Sequence, residues 1–404
     1  MTDTATDSVS QRPAERWWAW LPAGLGLLVL GTIGLLSLLP SSLVSDKYNE
    51  RVGEYQPTPY AQVPASAESV NDRVVFGDLP DEVERFEPEG DFYFVTVSAP
   101  KQTVLSWLVG HDDPAIEFLT SEDKYGFQTP TQRREINLQA MRTAQQEAEY
   151  LALTRAGYDA TITAGEVVVM QTLCKTFDDE GECLEMFPSD EQIDPADRIL
   201  EADGVELESV EDLSAVLEDK QPGDTVELLI DRPGDGERSV SVELSAATDG
   251  SGRTIVGFQP FDTREVELPF EVDIETNRIG GPSAGLAFTL ALIDQLTEGE
   301  LACGERIAVT GTIALDGSVG PIGGLAQKAS AVHQNGVRQF IVPAAQAEFS
   351  DPDELARVED AGRGEVELYP VETLDEALEV LEEIGCDPLV PVDSETAAAV
   401  ADDG

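Results

Sequence analysis

Residues 278–296 read RIGGPSAGLAFTLALIDQL. Ser283 stands in a run of small residues (Gly280, Gly281, Pro282, Ala284 and Gly285), and an almost wholly apolar segment follows at once. A polar mouth on an apolar run of this length predicts a buried helix that begins just after the serine. The first turn of a helix presents backbone N–H groups without intrahelical partners, at the positive end of the dipole. A hydroxyl there lies beside ready-made donors for an oxyanion. Small neighbours leave a peptide backbone room to approach. Serine is a weak nucleophile on its own, so this reading requires a base.

Three residues are candidates for that base: His111, His333 and Lys328. Residues 325–335 predict a helix in which Leu325, Lys328, Ala329 and Val332 fall at i, i+3, i+4 and i+7, on one apolar face. His333, five residues beyond Lys328, is turned about 140° away. The pattern puts an ammonium where an apolar residue belongs. Burial would depress the lysine pKa, and a neutral lysine is a competent general base. Spacing alone leaves open a lysine that snorkels to solvent from the helix edge.

The motifs GGPSAG and GPIGGLAQK, with VTGTIALDGSVGPIGG leading into the second, resemble the proteolytic domain of Lon proteases. The likeness is close over about 255–345 and looser to 386. It implies an α/β (α+β) domain with Ser283 as nucleophile and Lys328 as base. It further implies that the Thr310 hydroxyl helps to hold the lysine, and that Gly281, Pro282 and Ala284 complete a turn whose backbone N–H groups receive the oxyanion. Gly280 departs from the acidic residue that ATP-dependent members carry there. No cofactor or metal is expected. The chain has no G-x-x-x-x-G-K-[ST] phosphate loop, and its six lysines leave little room for a disguised one.

Upstream, residues 193–245 have another texture. A strand-like DRILEADG, a helix SVEDLSAVLEDK with Ser209 and Asp212 placed for a capping box, then PGD and the strand TVELLIDR resemble the C-terminal half of a PDZ domain. Such domains bind an extended peptide by adding it as a strand to a sheet edge. ITAGEVVVMQTLCKTF is a candidate for the peptide-binding strand, although no carboxylate-binding loop of small and apolar residues precedes it.

Residues 21–39 carry no charge over nineteen positions, enough for a bilayer span, with Trp17, Trp18 and Trp20 before them as an interfacial belt. PSSLVSDKYNE after it offers no signal-peptidase site, so a signal anchor is expected. The layout read from sequence is a cytoplasmic tail (1–16), a transmembrane anchor (17–40), a polar linker (41–70), an N-terminal α/β region (71–160), a β-rich PDZ-like domain (161–247), the Lon-type domain (255–386) and a disordered tail (387–404). Anchor, PDZ-like module and Lon-type domain together resemble membrane-anchored, ATP-independent Lon-like proteases. That likeness implies a catalytic part outside the cytoplasmic membrane and assembly as a trimer or hexamer. It also implies unfolded or membrane-proximal proteins as substrates, peptide tails at the PDZ-like module and the lipid bilayer at the anchor.

With 25 Lys+Arg against 79 Asp+Glu among 404 residues, the net charge is −54. That surface repels nucleic acid. It would repel itself except in strong salt, where the Debye length falls to about 3 Å at 1 M, and so suggests a halophilic source. Four cysteines permit two disulfides, with Cys174–Cys183 the natural pair because it closes a short acidic loop. Two other readings stay open. One is a non-catalytic membrane-anchored PDZ scaffold. The other is a phosphate-binding turn of the kind found in the galactokinase–homoserine kinase group.

Overall fold

A computed structural model describes residues 21–49, 54–125, 130–177, 183–232, 234–248, 252–347, 352–386 and 389–391. Two six-stranded sheets organise them. The first has the order 367–371, 339–343, 306–309, 91–98, 60–69, 117–119. Its first four strands are parallel, and the last two are antiparallel to their neighbours.

Alternation along Asp91–Ser98 shows how this sheet is covered. Phe92 and Phe94 enter the core shared with helix Gly285–Leu296, where Phe94 meets Phe288 edge-on at 5.6 Å between ring centres. Tyr93 and Val95 face the other way, into the cluster built on helix Leu325–Gln334. The neighbouring strand follows the same rule, with Ile307 and Val309 on one face and Ala308 on the other. A strand buried on both faces reads as a nearly continuous apolar run, which accounts for the compact RIAV. The serine helix and the lysine helix therefore lie on opposite faces of one sheet.

The boundaries differ from the sequence expectation in three places. Residues 41–70 were expected to be a linker, yet Tyr60–Ser69 is an inner strand between 91–98 and 117–119. Its proline disguised it: the ladder shifts register between Pro64 and Ala67, and such a bulge is where a sheet tolerates a residue without an N–H. Residues 71–160 are not a separate region. Strand 74–76 pairs with 272–274, strand 91–98 is central, and helix Pro130–Ala156 lies along the serine helix with Ala148, Ala152, Leu153 and Ala156 buried. The strand 258–267, expected in the Lon-type domain, belongs to the second sheet. The domain built on the first sheet is thus discontinuous, and residues 161–267 are set into it.

The second sheet is antiparallel, in the order 236–243, 225–232, 198–202, 161–172, 258–267, with 205–206 also beside 198–202. Its core gathers Val167, Ile199, Val226, Leu228, Ile230, Val242 and Phe258. Helix Val210–Glu218 has the expected capping box of Ser209 and Asp212. The Asp316-Gly317 hairpin joins the paired strands 312–313 and 319–320. Thr373 caps the last helix, Leu374–Glu383, by accepting from Glu376 N.

Cys174 and Cys183 are bridged, as the short loop suggested, and a second disulfide joins Cys303 to Cys386. Helix Leu21–Leu36 has 16 residues, no charge, and no buried side chain. Among the described residues no helix is long and apolar enough to cross a membrane. The expected span 17–40 begins outside those residues, at 17–20, as do the expected cytoplasmic tail and nearly all of the C-terminal tail.

Candidate active site

Strand Arg306–Val309 ends at Thr310, at the carboxyl edge of the central sheet, where the helices on the two faces come together. From one face comes Ser283, just before helix Gly285–Leu296. From the other comes Lys328, on a helix whose residues 325–332 are all buried. Lys328 Nζ lies 2.9 Å from Ser283 Oγ and 2.8 Å from Thr310 Oγ1, to which it donates. The Thr310 hydroxyl in turn donates to the Ser283 carbonyl at 3.0 Å, and Gly311 N–H donates to the same oxygen at 2.9 Å. Lys328 is 2% exposed and Thr310 is fully buried, whereas Ser283 is half-buried and open to an approaching ligand.

Burial pushes the lysine pKa down from 10.5 to about 7. The first and only cause is loss of water around the ammonium, for no carboxylate faces it in the set of interactions around Nζ. An amine with that pKa is neutral in a large fraction of molecules at neutral pH and has a hydroxyl within hydrogen-bond reach. This is the arrangement that lets an amine take a proton from serine. The snorkelling alternative is excluded by the burial.

Both histidines are employed elsewhere. His333 lies 3.7 Å from Glu365, and His111 stacks on Trp107 at 4.8 Å between ring centres. Among the described residues no group of three or more His, Cys, Asp or Glu side chains is placed to hold a metal ion.

The serine turn is held from behind by a residue that no sequence motif marked. Asn137, in the helix Pro130–Ala156, accepts from Gly281 N–H through its backbone carbonyl at 2.7 Å. A Cβ on Gly280 would come within 2.9 Å of Asn137 Cβ and 3.0 Å of its carbonyl carbon. The glycine that departs from the ATP-dependent pattern is therefore the residue that lets this helix close on the turn. Gly281 follows it, with Pro282 exposed and Ala284 buried at the helix start. No side chain caps that helix among the described residues, but its first N–H groups are taken by backbone: Gly285 donates to the Pro282 carbonyl and Leu286 to the Gly311 carbonyl, both at 3.2 Å. With Gly281 N–H held by Asn137 and no N–H on Pro282, neither of these two turn residues has a donor left for an oxyanion, contrary to the expectation from sequence. The lysine helix is fixed likewise. Gln346 makes both amide hydrogen bonds to the backbone of Ile322, two residues before the Gly324 cap. A backbone carbonyl and an amide 24 residues from the loop it braces leave no local sequence signal.

In the second sheet, strand 161–172 does not carry the free edge expected of a peptide-binding strand. It is paired on both sides, to 198–202 and to 258–267. The edges of this sheet are 258–267, beside 161–172, and 236–243 at the other end, and the small and apolar residues absent before residue 162 stand before 258–267 instead, as Ile255-Val256-Gly257.

Comparison with known proteins agrees with both domains. Residues 270–383 match the Lon protease (S16) C-terminal proteolytic domain, and residues 180–244 match the PDZ domain. The Lon protease of Chloroflexus aggregans is 30% identical over 157 residues, 36% of this chain and 18% of that protein. The Lon protease of Escherichia coli K12 is 35% identical over 98 residues, 24% of this chain and 12% of that protein. Among solved structures, the PDZ domain of an SdrC-like protein from Listeria monocytogenes is 24% identical, covering 25% of this chain and 92% of that chain with a TM-score of 0.20. The chain spans less than a fifth of the length of these two Lon proteases. It carries a Lon-type (S16) serine-peptidase domain and, set into it, a PDZ domain.

Proposed function

We propose that the chain is a serine endopeptidase that cleaves protein substrates without ATP, using Ser283 as nucleophile and Lys328 as general base. The observation that carries this reading is the buried Lys328 amine 2.9 Å from Ser283 Oγ, with its pKa lowered to about 7. The neutral amine accepts the serine proton as Oγ attacks the scissile carbonyl carbon. The N–H groups of Ser283 and Ala284, just before helix Gly285–Leu296, receive the resulting oxyanion, aided by the helix dipole. Lys328, now an ammonium, returns the proton to the leaving amine. Water then hydrolyses the acyl-enzyme with the same lysine as base. Thr310 accepts one N–H of the lysine and donates its own O–H in a hydrogen bond to the Ser283 carbonyl, which fixes the direction in which the amine faces.

The test is cleavage of an unfolded protein in molar salt with no nucleotide added. The wild-type chain should produce fragments and Ser283→Ala none. Fragments of equal yield from Ser283→Ala would end the proposal, as would a wild type that cuts only with ATP. Thr310→Val keeps the volume and removes the hydroxyl. A hydrogen bond to a charged group contributes about 1.5–3 kcal/mol, so kcat should fall roughly 10- to 100-fold, while KM for a fluorogenic peptide stays within about twofold. An unchanged kcat would show that the threonine merely fills space.

The wider reading follows from the same chain. The uncharged stretch 21–39 and the exposed apolar side chains of helix Leu21–Leu36 support membrane anchoring. Two disulfides support a catalytic part outside the cytoplasmic membrane. The free edge of strand 258–267 supports recruitment of peptide tails by the PDZ domain. The charge of −54 supports work in strong salt. Assembly as a trimer or hexamer is proposed from the resemblance to Lon-type domains.

A further inference from the structure

The apolar helix Leu21–Leu36 does not run out into a free linker. Val104 N–H donates to Leu39 O at 2.8 Å, Ser41 N–H donates to Gln102 O at 3.1 Å, and Pro40 is bridged to Thr103. Ser41 is buried, and its hydroxyl donates to Thr58 O at 2.7 Å. The chain leaving the apolar helix is therefore fastened at once to the domain built on the first sheet.

The fastening seats residues 41–43 and the end of the apolar helix against helix Val104–Gly110, VLSWLVG, which starts at a capping box of Thr103 and Ser106. That short helix buries only Val104 and Gly110. Val109 is 80% exposed and Leu38 83%, and Leu43, Val44 and Leu108 are exposed in the same joined segments, with Trp107 half-buried among them. Composition marks the same surface. The chain has 79 acidic residues among 404, yet residues 17–45 and 92–110 contain none. The fold brings these two acid-free stretches together at Pro40 and Thr103.

We propose that helix Val104–Gly110, with Leu38, Leu43 and Val44, lies in the headgroup layer of the bilayer, so that the domain rests on the membrane and does not swing from a leash. The proposal rests on the membrane-anchoring reading above. Nineteen uncharged residues at about 1.5 Å each cover roughly 28 Å, one hydrocarbon thickness, so a span over 21–39 ends where this patch begins. A tryptophan and exposed aliphatic side chains at that depth bury their apolar surface in lipid. Strand 91–98 continues in line to Lys101, which is bridged to Tyr60. Phe94 is level with Val309 on the parallel strand, so the carboxyl edge that carries Thr310 is the edge toward the patch. Nine residues at about 3.3 Å each, from Phe94 to Thr103, place that edge within roughly 30 Å of the docked helix.

The experiment reconstitutes the full-length Ser283→Ala chain, in which no copy cuts another, into phosphatidylcholine vesicles in molar salt. All four native cysteines are in disulfides, so Val109→Cys and Leu43→Cys each accept one fluorescent label, with Val205→Cys, exposed on the second sheet, as the reference. Lipids carrying a nitroxide near the headgroup should quench the labels at 109 and 43 at least about threefold more than the label at 205. Equal quenching at 109 and 205, in chains that float with the vesicles, would overturn the docking and leave the anchor standing. A label at 109 that the nitroxide lipid misses, but that brightens when unlabelled chain is mixed in, would overturn it in favour of contact between copies. Chains that do not float with the vesicles would remove the anchor, and the docking with it.

Discussion

Lys328→Arg is expected to lower kcat/KM for peptide cleavage at neutral pH by roughly a thousandfold, within the range that general acid–base catalysis commonly supplies. Arginine stays protonated at any pH a protein survives, so it removes the base, while bringing a bulkier and permanently charged group into the buried site. In the wild type, activity should follow the neutral fraction of Lys328. Its pKa of about 7 predicts a rate that climbs with pH through about 7 and levels off above it. A fluorogenic peptide assayed from pH 5 to 10 reads this directly. A profile flat down to pH 5, or a Lys328→Arg chain that keeps a tenth of the activity, would exclude the lysine as base.

The same residue should weaken the fold it serves. Its folded-state pKa lies below the ordinary 10.5, so between about 7 and 10.5 the unfolded chain binds more protons than the native one. Native stability therefore rises with pH across that window, and the full penalty is present below it. Lys328→Met fills a similar volume without a charge. At pH 6 it should stabilise the chain by about 2–4 kcal/mol, allowing for relaxation around the ~1.4 kcal/mol that each pKa unit represents. Denaturant titration at pH 6 and at pH 10 measures this, and the gain should largely vanish at the higher pH. A residue whose loss stabilises the fold while silencing the chain is there for chemistry.

Ser283, Lys328 and Thr310 were legible in the sequence because each sits in a short motif whose residues are contiguous, and because a lysine on an apolar helix face contradicts the pattern around it. The shape of the domain was not. Strand 91–98 pairs with 306–309, more than 200 residues away, and nothing local in DFYFVTVS names that partner. Strand 60–69 looked like a linker because its proline sits at a bulge. Which strand of the PDZ domain has a free edge is a property of strand order. The edge beside 161–172 went to 258–267, the last of that sheet in the chain, and the small and apolar residues looked for before residue 162 precede that strand instead. The same applies to Asn137: its contribution to the serine turn is a backbone carbonyl, which every residue has. The Cys303–Cys386 bridge likewise joins residues 83 apart that only the folded chain brings together.

Helix Pro130–Ala156, which carries Asn137, also buries a carboxyl group, and Glu149→Gln is expected to stabilise the chain by about 2–4 kcal/mol at pH 9. Glu149 is 8% exposed, and its pKa is pushed up to about 8, first by loss of water and then by Asp273 on the strand that the helix covers. A raised acid pKa means that the native chain holds the proton between about 4.5 and 8 while the unfolded chain has released it. Stability is therefore lost as pH climbs through that window, and the whole penalty is present above it. Glutamine has nearly the same shape and no charge at any pH, so the variant should match the wild type at pH 4 and exceed it increasingly up to pH 9. Salt separates this term from the repulsion among the many surface carboxylates. At about 1 M the Debye length is near 3 Å and exposed charges are screened, but the dehydration of a buried group is not relieved. Denaturant titrations at pH 4, 7 and 9 in molar salt should therefore still show the difference. Equal stability of Glu149→Gln and wild type at pH 9 under those conditions would mean that Glu149 reaches water, and that the helix does not seal the face against which it lies.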